Sequence, residues 1–345
     1  MSSKKRGCLK WGGVALGGLA LLLIVVLALT WVMGSRAKAA LRAKYPPPGE
    51  MVDVGGYKMH IYCLGSGSPT VVLEAGAGDF SLAWSLVQPE VAQTTRVCAY
   101  DRVGLGWSER GPLPLTVENT VEQLRTLLTN AGIEGPYVLV GHSLGGAYVR
   151  AYAVRYPEDV VAMVLVDSSH EDQDARFPEA FAKISAQARG QMELMLGLVQ
   201  AANSLGIFAM SPQSYPDAFI PPMPEATREV YKGVVLSYGS FFAAVAEQYA
   251  HVEDNMAEIR DMHVTTLGDI PLVVLSAAKT EIPEGYGLAA EDIADLQAVM
   301  SELAAELATL SPRGELVVAE ESTHYIHFDQ PELVIEAINH VLDAQ

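Results

Sequence analysis

Positive charge is scarce in most of this chain. Of its 23 Lys and Arg, eight lie within residues 1–45, where there is no Asp or Glu. The other 300 residues therefore carry 15 basic against 41 acidic side chains, a net of −26 within an overall −18. A body of that sign repels phosphate backbones, and no basic stripe interrupts it, so nucleic acid is excluded as a partner. Cysteine is equally scarce. Three cysteines in 345 residues do not make a disulfide scaffold. Cys63 and Cys98 fall in predicted strands and read as buried thiols, able to bridge if those strands are neighbours and the body lies outside the cytoplasm. Internal repeats and low-complexity tracts are absent too, which excludes solenoids and disordered scaffolds. Half the residues are apolar, enough for one large buried core with appendages.

Charge is missing altogether from Trp11 to Met33, a mostly apolar run with a tryptophan near each end. Twenty-three residues at helical rise cross a bilayer core with room for tilt, and indole rings favour the interface. A cleaved signal peptide is the competing reading, with Ala37-Lys38-Ala39 as its cleavage site, but the apolar stretch is long for one. Four basic residues precede the span and four follow it, so the charge bias is nearly balanced. Lys4-Lys5-Arg6 ahead of a single anchor favour an inside N-terminus and an extracytoplasmic body, hence a single-pass membrane protein. The expected division is a basic segment 1–10, a transmembrane anchor 11–33, a stiff Pro-rich linker 34–50 around Pro46-Pro47-Pro48-Gly49, a core of 51–169 and 269–345, and a cap of 170–268.

Within the core, strand and helix patterns alternate. Strand-like runs at 56–64, 70–74, 96–100, 137–140, 160–167, 270–275 and 315–319 are separated by helical spacing at 116–130, after 144, at 288–310 and from Pro331. Such alternation implies a mostly parallel sheet covered on both faces. The rhythm stops after Asp167. Residues 170–268 show no clear strand, are rich in Ala, Met and Phe, and read as a helical insertion over the sheet.

Gly141-His142-Ser143-Leu144-Gly145 lies between a strand and a helix, the context of a nucleophile elbow. The chain reverses so sharply there that side chains two positions either side of the serine collide, hence the glycines. The serine hydroxyl is then presented at the N-terminus of a helix, where free N–H groups favour negative charge. A serine is a weak nucleophile and needs a base with an orienting acid. His324 follows the last strand on a loop that reaches the elbow; His327, nearer the final helix, is the rival and is expected to pack or hydrogen-bond locally.

The elbow, the terminal Thr323-His324-Tyr325-Ile326-His327-Phe328-Asp329-Gln330-Pro331-Glu332, the Asp101-Arg102-Val103-Gly104-Leu105-Gly106-Trp107-Ser108 segment and Glu74-Ala75-Gly76-Ala77-Gly78, in this order, resemble the α/β-hydrolase superfamily over about 52–345, less the insertion. The resemblance implies an α/β-hydrolase fold: a mostly parallel eight-stranded sheet with helices on both faces and a helical cap, here preceded by one N-terminal transmembrane helix. It implies Ala77 and Leu144 as backbone oxyanion donors, although Ala75 stands where the family often has His. It allows the acid after either of two strands, which makes Asp167 the first choice, with Glu281 or Asp172 behind it. Asp101 and Arg102 read as an ion-paired turn supporting the oxyanion loop. Dehalogenase and epoxide-hydrolase branches place a carboxylate where this chain has Ser143, so the serine implies acyl transfer. The expectation is a membrane-anchored hydrolase of hydrophobic carboxylic esters acting through Ser143, His324 and Asp167, with no metal or organic cofactor. Alternatives are a proline-type aminopeptidase whose cap acids (Glu171, Asp172, Asp174, Glu179) hold an amine, a C–C bond hydrolase or acyltransferase, and a non-catalytic tethered binding module.

Overall fold

The computed structural model describes residues 3–238, 240–280 and 287–345, with the backbone alone for 3–13 and 218. Eight strands form one sheet: β1 (Glu50–Asp53), β2 (Lys58–Leu64), β3 (Thr70–Glu74), β4 (Val97–Tyr100), β5 (Tyr137–His142), β6 (Val160–Val166), β7 (Leu272–Ala277) and β8 (Gly314–Ala319). Their spatial order is β1-β2-β4-β3-β5-β6-β7-β8. The β1–β2 and β2–β4 pairs are antiparallel and all the others parallel. The five residues of β3, the four of β4 and the six of β5 are all buried, as strands covered on both faces must be. On one face Val117, Val121, Leu124 and Leu128 pack with Tyr148 and Tyr152. On the other, Trp84 and Val91 pack with Val334, Ile338 and Val341.

Local chemistry explains the element ends. Thr116 caps the helix Val117–Asn130 by accepting from Asn119 N at 3.1 Å. Pro331 opens the last helix, Pro331–Asp343, where its missing N–H costs nothing. Strand β1 was not expected. Only four residues long and at the sheet edge, it has too little alternation to be read, and it needs β2 to exist. β2 and β4 place Cys63 directly opposite Cys98, and the two are joined in a disulfide.

Between β6 and β7 the chain is helical, its main helices being Glu179–Ser204, Glu225–Ser237, Phe241–Ala250 and Val252–Asp261. They cover the end of the sheet where β3, β5 and β6 terminate, and they enclose a third apolar cluster around Leu196, Tyr215, Tyr231, Phe241 and Phe242.

The N-terminal helix α1 runs Ser3–Lys44 without a break. Its part from Val14 on is long and apolar enough to cross a membrane by length and composition, and its apolar window packs on nothing. The stretch from 34, expected as a stiff Pro-rich spacer, is helical as far as Lys44. It packs on the cap, with the Tyr45 ring against Gly233 and the Arg42 guanidinium 5.7 Å from the Tyr238 ring centre. Proline rigidity therefore acts only over the last few residues before β1.

Candidate active site

Ser143 joins β5 to the helix Leu144–Arg155 with φ 52° and ψ −124°, a left-handed conformation that a side chain rarely adopts. Three backbone bonds hold it there. Ser143 N donates to Val166 O (3.1 Å), while Gly146 N (2.9 Å) and Ser169 N (3.0 Å) donate to Ser143 O. Close packing accounts for the glycines: a Cβ on Gly141 would lie 2.6 Å from Gly145 O, and one on Gly145 would lie 2.5 Å from Ala75 O.

His324 reaches the elbow from the loop after β8. Its carbonyl accepts from the His142 ring at 3.0 Å, which ties the loop to the residue beside Ser143. Its Nδ1 lies 2.6 Å from Asp167 Oδ2. Asp167 follows β6 at φ 41° and is nearly buried; its other oxygen accepts from Ala277 N at 3.0 Å, and its own N–H donates to Leu275 O at 2.8 Å. The later strand thus supplies the acid's support. Glu281 lies outside the described residues, and Asp172 is committed to Arg260 at 2.7 Å. Among the described residues no hydrogen bond joins Ser143 Oγ to His324 in this conformation, a contact that unliganded sites often form only on binding.

Three histidines crowd this corner, with the His142 ring 4.6 Å from that of His324 and 4.5 Å from that of His327. Only His324 is set up to carry charge. Burial works against its charged form, but the Asp167 hydrogen bond and charge, joined by Asp79, raise its pKa above the ordinary imidazole value. Burial drives His327 down to about 3, helped by His324, and drives His142 well below its usual range. His327 packs on Trp84 and Phe328, and among the described residues neither ring nitrogen has a hydrogen-bond partner, so of its two expected fates packing is the one seen.

The loop Glu74–Gly78 lies against the elbow; a Cβ on Gly76 would sit 2.7 Å from His142 Nδ1 and 3.3 Å from Ser143 Cβ. The Ala77 and Leu144 N–H groups donate to no acceptor among the described residues, the latter because it opens a helix. Arg102 braces this loop by pairing with Glu74 and donating to the Ala75 and Gly76 carbonyls. It does not pair with Asp101, contrary to expectation. Asp101 instead accepts from Ser81 N (2.9 Å) and Trp107 N (2.8 Å) and meets His60 Nδ1 at 2.9 Å. The turn supports the loop through two separate buried anchors.

Two residues of the site escaped the sequence reading. Gln248, from the cap helix Phe241–Ala250, accepts from Gly78 N at 2.8 Å; nothing in the sequence relates positions 170 residues apart. Asp79 directly follows the loop, which was the available signal. It is 4% exposed, and Oδ2 has no hydrogen-bond partner among the described residues. Burial pushes its pKa up to about 7, against the pull of Arg102 and His324.

Two cavities flank the site. One of about 340 Å³ is lined by Ala77 and Asp79 below and by Met195, Leu196, Tyr231 and Phe242 of the cap. The other, of about 480 Å³, is lined by Asp167, His324, Arg189 and Lys279 among others. Tyr249 and Tyr325 line both.

Residues 71–337 match the model of the alpha/beta hydrolase family. The chain belongs to that family. This hydrolase is 25% identical over 274 residues to the uncharacterized protein YqjL of Bacillus subtilis (strain 168), a match covering 79% of this chain and 83% of that one. Stronger identities are partial: the chain spans 20%, 28% and 37% of the length of three curated relatives that are 31–32% identical to it. Among solved structures, a thermophilic esterase from Thermogutta terrifontis shares the fold with TM-score 0.56 and 20% identity, covering 85% of this chain and 96% of that one. The epoxide hydrolase CorEH shares it with TM-score 0.61 and 18% identity, covering 86% and 97%. The hydrolase family is thus established, and the bond cleaved has to be argued from the site.

Proposed function

We propose that this hydrolase cleaves carboxylic esters of hydrophobic acids through Ser143, His324 and Asp167. The observation that carries the reading is the 2.6 Å contact of His324 Nδ1 with Asp167 Oδ2 beside a serine in a left-handed elbow. Asp167 fixes the ring so that Nε2 is the free base. His324 takes the Ser143 proton, and the alkoxide attacks the ester carbonyl. The N–H groups of Ala77 and Leu144 receive the oxyanion, each worth roughly 10²–10³ in rate. The imidazolium returns its proton to the leaving alcohol, and a water deprotonated by the same ring releases the acid. A serine nucleophile sets this chemistry apart from carboxylate-nucleophile branches such as that of epoxide hydrolases. The acyl group fits the cavity beside the Ala77 loop, whose cap walls are Met192, Met195, Leu196, Ile220 and Phe242, and the alcohol fits the cavity that holds His324 with Arg189 and Lys279.

The proposed location is a membrane, with α1 as a single-pass anchor and the body outside the cytoplasm. The Cys63–Cys98 disulfide supports an oxidising compartment. A fluorophosphonate probe tests the nucleophile. The wild type should label, and Ser143→Ala should not; equal labelling of both would end the serine-enzyme reading. Esters of graded chain length then test the acyl preference.

One observation favours a second reading. The cap acids expected of an amine-binding peptidase are all paired, Glu171 with Arg150, Asp172 with Arg260, Asp174 with Arg189 and Glu179 with Lys183. Among the described residues Asp79 Oδ2 has no hydrogen-bond partner, and Asp79 lines the first cavity, where its carboxyl would hold a substrate ammonium or hydroxyl group. Faster turnover of amino-acid amides than of esters would favour the peptidase.

A further inference from the structure

From Leu194 on, the helix Glu179–Ser204 is apolar on both sides. Met192, Met195, Leu196 and Val199 line the first cavity. On the other side Leu194 and Leu198 are 69% and 66% exposed, and Ile207 and Met210, just beyond the helix, are 41% and 38% exposed. No charged residue occurs between Glu193 and Asp217. A helix apolar all round requires an apolar environment on each side. The cavity provides one, and among the described residues nothing covers the other.

The position of α1 identifies the missing environment. The turn after Ser204 meets α1 backbone to backbone: a Cβ on Gly34 would lie 2.0 Å from Leu205 O, and one on Gly206 would lie 2.4 Å from Gly34 Cα. One turn further on, the Lys38 side chain is buried against the body. The anchor is therefore continued into the body by an unbroken helix and is locked to the cap where it arrives. The exposed apolar run Val14–Met33 is about 30 Å long at helical rise, one bilayer core. A membrane crossed by that run ends at Gly34, level with Gly206, Ile207 and Met210. Arg36 is exposed just past that level, where lipid phosphates lie.

We propose that the outer face of the cap, marked by Leu194, Leu198, Ile207 and Met210, is seated in the bilayer interface beside the anchor, so that substrate enters the first cavity from the lipid phase. This inference rests on the anchor reading above, and it makes the substrate a lipid ester.

The test uses the full chain with Cys8→Ser, reconstituted in phosphatidylcholine vesicles. A polarity-sensitive fluorophore is attached at Val25→Cys, Leu198→Cys or Glu336→Cys in turn, and quenching is measured with nitroxide-labelled lipid. Quenching at 25 and 198 but not at 336 is the expected result. Quenching at 25 without quenching at 198 keeps the anchor and overturns the cap proposal. Failure at 25 removes the anchor and the proposal with it. A blue shift at 198 without quenching, together with a dimer in sedimentation, gives the face to a second copy and also overturns it. With activity as the readout, the double variant Leu194→Glu, Leu198→Glu should lose several-fold turnover of a long-chain ester embedded in vesicles while hydrolysing a soluble short-chain ester at the wild-type rate. Equal loss on both substrates would overturn the lipid route.

Discussion

Three histidines at this site are set apart by their surroundings, not by residue type. His142, His324 and His327 lie within one cluster of rings, yet burial silences two of them, and Asp167 with Asp79 favours charge on the third. The raised His324 pKa has a direct kinetic consequence. In the proposed mechanism His324 must be neutral to act as base, so the acid limb of kcat/KM should lie above the ordinary imidazole value of about 6.5. Asp79→Asn removes one of the charges that favour the imidazolium, so the limb should move to lower pH. An unmoved limb would show that Asp79 does not act on His324. Asp79, itself raised to about 7 by burial, is one of the charges acting on His324, so the observed limb belongs to the pair. Asp167→Asn leaves the ring without its orienting acceptor. Turnover should fall by about 10⁴, as in the serine-protease case, with far-UV circular dichroism unchanged.

The elbow works as an element because two chain segments touch where only hydrogen fits. Gly145→Ala would place a methyl group 2.5 Å from Ala75 O and 2.7 Å from Glu74 O, both backbone atoms that cannot swing away. We expect a loss of about 1–3 kcal/mol, seen as a lower urea midpoint, and weaker fluorophosphonate labelling because the Ala77 loop is pushed off the elbow. This element was legible in the sequence, since a strand, G-x-S-x-G and a helix are contiguous. The parallel strands β3 and β5 to β7 were legible because burial on both faces leaves continuous apolar runs. Short β1 was not, and the true end of α1 was not, because residues 34–44 are held by the cap as well as by helix propensity.

At the scale of the whole molecule, the disulfide clamps the antiparallel edge of the sheet to its parallel body through β2 and β4. Paired Cys63→Ala and Cys98→Ala substitutions should cost about 2–4 kcal/mol, measured as the shift in urea midpoint against the oxidised wild type. An unchanged midpoint would mean that the thiols are free in the working protein. The cysteines alone left bridge and free thiols both open; only the pairing of β2 with β4 puts them opposite one another. The same holds for the cap. Its helical character was readable from composition, but which faces line a cavity and which meet α1 depends on contacts between segments far apart in the chain.

Residues near one another in sequence determined the apolar N-terminal run, the α/β alternation and the elbow with its serine, because periodicity, turn sterics and helix ends are local physics. Tertiary structure decided the rest. Bringing Asp167, His324 and Asp79 to one corner, setting three like histidines to different pKa values, and packing the end of α1 on the cap all depend on burial and distance between remote segments. The physical reason is that desolvation and charge coupling act through space, so they have no value until the fold has put the groups together.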